Sequence, residues 1–142
     1  MAISLNPYLN FKGRAREAMT FYASVLGGTP DLVTFAQFKM PVPAGEEENI
    51  MHGYLRTEKG LELMGADVPS TMQMNPVGGM TISLSGEADD DDELTAYWKG
   101  LSEGAKIDMP LEKAPWGAKF GQLTDKFGVP WLVNIQLEQP GS

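Results

Sequence analysis

The segment "FGQLTDKFGVPWLVNI", residues 120–135, decides how this chain is read. It has the form of a strand, a tight turn over Asp125–Gly128, and a second strand that closes the fold. In the second strand Val129, Trp131, Val133 and Ile135 alternate with Pro130, Leu132 and Asn134, the period of two expected where one face is buried. In many small β-rich enzymes such a hairpin ends on a carboxylate that holds a metal. Here the outgoing strand, Val129 to Asn134, contains no acid.

An earlier stretch repeats this plan. Ile50–Thr57 and Leu61–Ala66 read as a hairpin closed around Glu58-Lys59-Gly60. A shift of 68 residues lays Gly53 on Gly121, Leu55 on Leu123 and Gly60 on Gly128. Upstream, a shift of 76 lays Phe21-Tyr22 on Tyr97-Trp98, Val25 on Leu101 and Gly28 on Gly104. The ordered set of matches indicates a duplicated βαβββ module, the first over about residues 1–70 and the second over about 77–138.

The other elements fit that plan. Ile3–Phe11 alternates as a half-buried strand and Gly13 breaks it. Arg14–Leu26 follows as a helix with Ala15, Ala18, Met19, Tyr22 and Leu26 on one face, ended by Gly27-Gly28. Leu32–Lys39 reads as a strand and Met40–Glu48 as a loop. In the second module Met80–Ser85 is a strand broken by Gly86, Asp89–Leu101 a helix, and Lys106–Leu111 a strand. The acids Asp89–Glu93 lack the alternation and central glycine of a calcium loop, and suit the first turn of a helix by roughly 0.3–1 kcal/mol each when well placed. The expected class is α+β: two modules forming a curved sheet within one domain, helices on one side and a concave cavity on the other.

Composition narrows the function. The chain has 142 residues, 42% hydrophobic and 21% charged, as in a globular protein with a core. With 19 acidic against 11 basic residues the net charge is −8, which disfavours a nucleic-acid backbone as partner. Neither a membrane span nor an export signal is read, so a cytoplasmic protein is expected. The absence of cysteine excludes disulfides, thiolate metal sites and a cysteine nucleophile.

Three segments together, "NPYLNFKGRAREAMTFYASVLGG" (6–28), "MHGYLRTEKGLELM" (51–64) and "PWGAKFGQLTDKFGVPWLVNI" (115–135), resemble the PhnB-like group of the vicinal oxygen chelate superfamily. That superfamily contains glyoxalase I, extradiol dioxygenases and bleomycin-resistance proteins. The resemblance covers nearly the whole chain and implies the paired βαβββ fold and a homodimer with cavities built from both modules. Members often carry a 3-demethylubiquinone methyltransferase label, but no strand here leads into a helix through a glycine-rich loop of the nucleotide-binding kind. Metal-dependent relatives place one ligand on each of four strands. By resemblance those positions fall on or beside Asn6, Glu62 or Met64, Gly79 and Leu132, of which only Glu62 is a good ligand. No metal and no other cofactor are therefore expected.

Strand parity selects the cavity wall. Leu5, Leu9 and Phe11 should cover the helix, leaving Asn6, Tyr8 and Asn10 for the cavity, with Thr81, Ser83 and Asn134 from the second module. His52, the single histidine, shares a face with Tyr54 and Arg56. It is a candidate base, although a hydrogen-bonded strand histidine near a subunit seam is the simpler reading. Glu62 is either a base in a dry cavity or a solvated edge residue beside Lys59. Trp98 and Trp131 have core parity, whereas Trp116 and Phe120 suit a pocket rim. Glu46–Glu48 reads most simply as a solvated loop, although the resembling fold implies that this region can overhang the cavity, and the nine methionines read as adaptable pocket or core fillers. The preferred expectation is a metal-free homodimer binding an unidentified, partly apolar small molecule. The alternatives are a metal-dependent lyase, isomerase or dioxygenase with ligands completed across the dimer, and a dimer with no small-molecule site.

Overall fold

The structure, a computed structural model, describes residues 5–72 and 80–137. The chain divides into two compact units, Met1–Pro76 and Val77–Ser142. In the first unit β1 (Tyr8–Phe11), α1 (Ala15–Leu26), β2 (Asp31–Thr34), β3 (Ile50–Arg56) and β4 (Glu62–Asp67) build a four-stranded sheet of order β1-β4-β3-β2. In the second unit β5 (Ile82–Glu87), α2 (Asp91–Leu101), β6 (Lys106–Lys113), β7 (Ala118–Thr124) and β8 (Pro130–Gln136) build a sheet of order β5-β8-β7-β6. In both sheets the first strand pairs parallel to the last and the remaining pairs are antiparallel.

The duplicated module is visible down to single hydrogen bonds. Thr57 N–H donates to the Leu61 carbonyl at 3.0 Å and Asp125 N–H to the Val129 carbonyl at 2.8 Å. Gly60 N–H closes on the Thr57 carbonyl at 3.0 Å and Gly128 N–H on the Asp125 carbonyl at 2.9 Å. Both glycines have positive φ, 87° and 84°, a conformation that costs a side-chain-bearing residue more. Even the side chains correspond: Thr57 Oγ1 accepts Leu61 N–H, and Asp125 Oδ1 accepts Val129 N–H.

The apolar faces follow the sequence spacing. Ala15, Ala18, Met19, Tyr22 and Leu26 of α1 are all buried. The helix lies on β3 and β4 because glycines leave room: a Cβ at Gly53 or Gly65 would stand 3.4 or 3.2 Å from Met19. Val129, Trp131, Val133 and Ile135 are buried as well. Each such side chain contributes about 1.5–3 kcal/mol when removed from water.

Several boundaries differ from the sequence reading. The described part of the first strand is confined to Tyr8–Phe11, and Leu5, ahead of it, is 99% exposed instead of covering the helix; Ile3 lies outside the described residues. The strand expected over Leu32–Lys39 stops at Thr34 and gives way to a 3-10 turn over Ala36–Phe38. Gln37 causes this, because its Oε1 accepts Thr34 N–H at 2.6 Å while its own N–H donates to Thr34 Oγ1. Gly86 stays within β5; a Cβ there would meet the Asp90 side chain at 2.7 Å, so this glycine permits close packing instead of ending the strand. The second helix begins at Asp91 after a 3-10 turn over Ala88–Asp90, and β6 runs on to Lys113. Met80 precedes β5 and is exposed, and Trp98 is half-buried, not core. Among the described residues no helix is long and apolar enough to cross a membrane.

Candidate functional site

Alternation puts the helix-averted side chains of the first sheet on one face. Tyr8 pairs with Met64 and Met64 with Tyr54; Asn10 pairs with Ala66, and Arg56 with Glu62. Paired residues point to the same side of a sheet, so Tyr8, Asn10, His52, Tyr54 and Glu62 share this face. Asn6 lies just before β1 and is half-buried.

Two contacts organise the face. The His52 ring lies 6.0 Å from that of Tyr8, tilted by 32°. The Tyr54 hydroxyl donates to Glu62 Oε1. That hydrogen bond, with burial and the Glu62 charge behind it, pushes the Tyr54 phenol above its ordinary range. Glu62 therefore faces the same side as Tyr54 and is more than a solvated edge residue. His52 itself lies on β3. Among the described residues its imidazole has a ring contact and no hydrogen-bond partner, and the same residues leave the Tyr8 hydroxyl and the Asn10 amide without one.

Beside this face is an open depression of about 350 Å³, called the cavity below. Tyr8, Asn10, Asp67 and Thr71 supply its polar part, and Phe35, Met40, Met51, Ala66, Pro69 and Met72 most of its apolar lining. A mostly apolar wall with a few polar groups is the usual make-up of a small-molecule pocket. Its outer walls are two turns, around Met40–Val42 and Val68–Met72. The Glu46–Glu48 loop is tied to the second of these turns: Glu46 accepts both the amide and the hydroxyl of Ser70, at 2.9 and 2.5 Å, at the solvent-exposed surface.

The remaining candidates belong to the second unit. Trp116 and Phe120 meet edge to face, 5.7 Å between ring centroids, and border a depression of about 220 Å³ with Met109, Pro110 and Glu112. Asn134 pairs with Phe120 in the β7–β8 register. A third depression, about 460 Å³, involves Arg16, Thr34, Gln37 and Glu48, but none of the sequence candidates lines it. Thr34 and Gln37 there already bond each other.

The metal positions implied by resemblance do not fit a divalent ion. Asn6 offers a single neutral amide oxygen, Glu62 is engaged by Tyr54, Met64 and Leu132 offer no hard donor, and Gly79 lies outside the described residues. Among the described residues no three His, Asp or Glu side chains converge.

Sequence reasoning missed Asp67 and Asp125, both 4% exposed. Asp67 Oδ1 accepts Ala15 N–H and Oδ2 accepts Ile50 N–H, each at 2.9 Å, fixing the start of α1 and of β3 beside the cavity. Asp125 accepts from Phe127 and Val129 amides and from the Trp131 indole. The 68-residue repeat, which lays Thr57 on Asp125, was the available signal for the second.

Residues 4–134 match the family described as 3-demethylubiquinone-9 3-methyltransferase. The chain is 30% identical to protein YjdN of Escherichia coli strain K12, over 96% of this chain and 97% of that one. Among solved structures it is similar to protein PA1353 from Pseudomonas aeruginosa, with TM-score 0.80 and 34% identity over 96% of this chain and all of that one. A PhnB protein from Bacillus cereus gives TM-score 0.72 and 28% identity over 94% and 99% of the two chains. A glyoxylase/bleomycin resistance protein/dioxygenase domain from Frankia shares the fold at TM-score 0.64, with 14% identity over 100% and 96%.

Proposed function

The chain belongs to the family described as 3-demethylubiquinone-9 3-methyltransferase, the PhnB-like group of proteins with the glyoxalase/bleomycin-resistance fold, and on that premise we propose that it is a metal-free, cytoplasmic, homodimeric protein that binds a small, partly apolar molecule. The observation that carries this reading is the cavity beside the first sheet. There the Tyr8 hydroxyl and the Asn10 amide stand over a wall of methionine, phenylalanine and proline, with His52 next to Tyr8. Methionine side chains adapt to ligands of varied shape, while the polar groups fix orientation. His52 and the Tyr54–Glu62 pair extend the polar edge of the site, and Trp116, Phe120 and Asn134 provide a second patch in the other unit.

The family description names a methyl transfer, which requires a bound methyl donor. In this chain β1 leads to α1 through Lys12-Gly13-Arg14, and β5 to α2 through Ala88-Asp89-Asp90. Neither connection is the glycine-rich loop of a nucleotide-type cofactor site. The proposal therefore comprises binding and leaves transfer aside.

Elemental analysis of protein purified without added metal, before and after incubation with nickel, zinc, iron and manganese and then dialysis, tests it. The expected result is no stoichiometric metal, together with a thermal midpoint raised by neutral apolar compounds. Saturation at a hundred times the dissociation constant corresponds to about 2.7 kcal/mol. A stoichiometric metal surviving dialysis would replace this reading with a metal-dependent lyase, isomerase or dioxygenase.

A further inference from the structure

The polar and apolar sides of the cavity come from different elements. Tyr8 and Asn10 are two residues apart on β1, hence on one face of the strand, and Asn10 is paired with Ala66, which also lines the cavity. The turns supply the apolar side, Met40–Val42 from one and Pro69 and Met72 from the other. Asn10 is half-buried, and among the described residues its carboxamide has no hydrogen-bond partner. A carboxamide presents an N–H donor and a carbonyl acceptor side by side. Half-buried, it gains most from a ligand that answers both at once.

Charge narrows what that ligand can be. Among the described residues that line the cavity, Asp67 alone is charged at neutral pH, and none is lysine, arginine or histidine. Asp67 is 4% exposed and its two oxygens already accept Ala15 and Ile50 N–H, so its charge stands in the wall while its oxygens are engaged. Glu46 adds a second carboxylate at the rim, bonded to Ser70 between the lining residues Pro69 and Thr71. The two Ser70 bonds, with Lys12 behind them, hold the Glu46 carboxyl below its ordinary range, so it is ionised at neutral pH. Lys12 itself does not line the cavity. A bound anion would face two like charges with no lining cation to answer it, a penalty of about tenfold or more in affinity. A cation would find the one lining carboxylate buried and already engaged.

We propose that this cavity selects an uncharged ligand with an amide edge, a carbonyl and an N–H side by side on an apolar body, as in a primary carboxamide or a lactam. The inference rests on the cavity being the ligand site. Asn10 answers both groups of that edge: its amide N–H donates to the ligand carbonyl, and its own carbonyl accepts the ligand N–H. The apolar body lies against Met40, Met51 and Met72, whose side chains adapt to its shape. Asn10 is thus the residue that sets specificity, and an ester, which lacks the N–H, loses one of its two bonds.

The test is competition for N-phenyl-1-naphthylamine, a neutral probe that brightens in apolar surroundings, on the full chain with chelator present. The competitors share one ring system: 2-naphthamide, methyl 2-naphthoate, 2-naphthoate and 2-naphthylmethylammonium. The amide should displace the probe at a concentration about three- to tenfold below the ester, the worth of one hydrogen bond. It should outdo the carboxylate by about tenfold or more. Asn10→Leu should remove the difference between amide and ester while the probe itself still binds. Asn10→Asp, which keeps an acceptor and loses the donor, should favour the ammonium over the amide. A carboxylate that competes as well as the amide, or an amide–ester difference unchanged in Asn10→Leu, would overturn the proposal. Filling the cavity with Ala66→Leu, or from its rim with Thr71→Trp, should abolish binding of probe and amide alike. If a folded filling variant binds both as the parent does, or if the parent binds neither, the cavity is not the site and the amide edge falls with it. If filling abolishes binding but the amide does not lead the series, only the amide edge falls.

Discussion

Asp67 and Asp125 are the two carboxylates buried among the described residues, and both serve the backbone. Each Asp67 oxygen takes one amide, from Ala15 and from Ile50, so a neutral asparagine would turn a donor toward one of two donors. Asp67→Asn should therefore cost about 1–3 kcal/mol in urea denaturation. A cost near zero would mean that the two amides do not depend on the carboxylate. Burial of an acid cannot be read from its type, since aspartate is usually exposed. The same limit hid the Tyr54–Glu62 and Glu46–Ser70 bonds. Their partners are 8 and 24 residues apart, the first pair on the neighbouring strands β3 and β4 and the second between loops, and neither pairing leaves a periodic trace in the sequence. Strand parity groups Tyr8 with Asn10 and, separately, His52 with Tyr54 and Arg56; that these lie on one face follows only from the β1–β4 and β4–β3 registers, which no single strand reveals.

At the scale of the element, periodicity carried furthest where packing is one-sided. The five buried positions of α1 and the four of β8 with its turn are those that the 3.6- and 2-residue periods select. It failed where side chains intervene, as when Gln37 bonds Thr34 and ends β2 early. Glycines divide along the same line. Gly60 and Gly128 hold positive φ with no atom within 4 Å of the place a methyl group would take, so alanine there meets only backbone strain, roughly 1–2 kcal/mol. At Gly121 a Cβ would stand 2.8 Å from the Trp98 ring and 2.9 Å from the Leu111 Cα, neither of which yields easily. Gly121→Ala should then reach or exceed about 3 kcal/mol, the upper end of ordinary overpacking. Equal losses at Gly60 and Gly128 with a larger one at Gly121, measured by denaturation, are the expected order. A loss at Gly121 no larger than at the turns would show that the strand relaxes away from α2.

At the scale of the whole molecule, each of the two units repeats the βαβββ plan with its own four-stranded sheet. The fold needs glycines under the helices and a tight turn between the last two strands of each unit, and both are present. Fold alone does not assign chemistry; the lining of the cavity beside the first sheet is what would select a ligand. Its methionines allow the most direct test. With 13C-labelled methionine methyl groups and chelator present, titration with N-phenyl-1-naphthylamine should shift Met40, Met51 and Met72, which line the cavity, and leave Met109 of the second unit unmoved. Shifts confined to Met109, or shifts at the cavity only after a divalent metal is added back, would contradict a metal-free site on the first sheet.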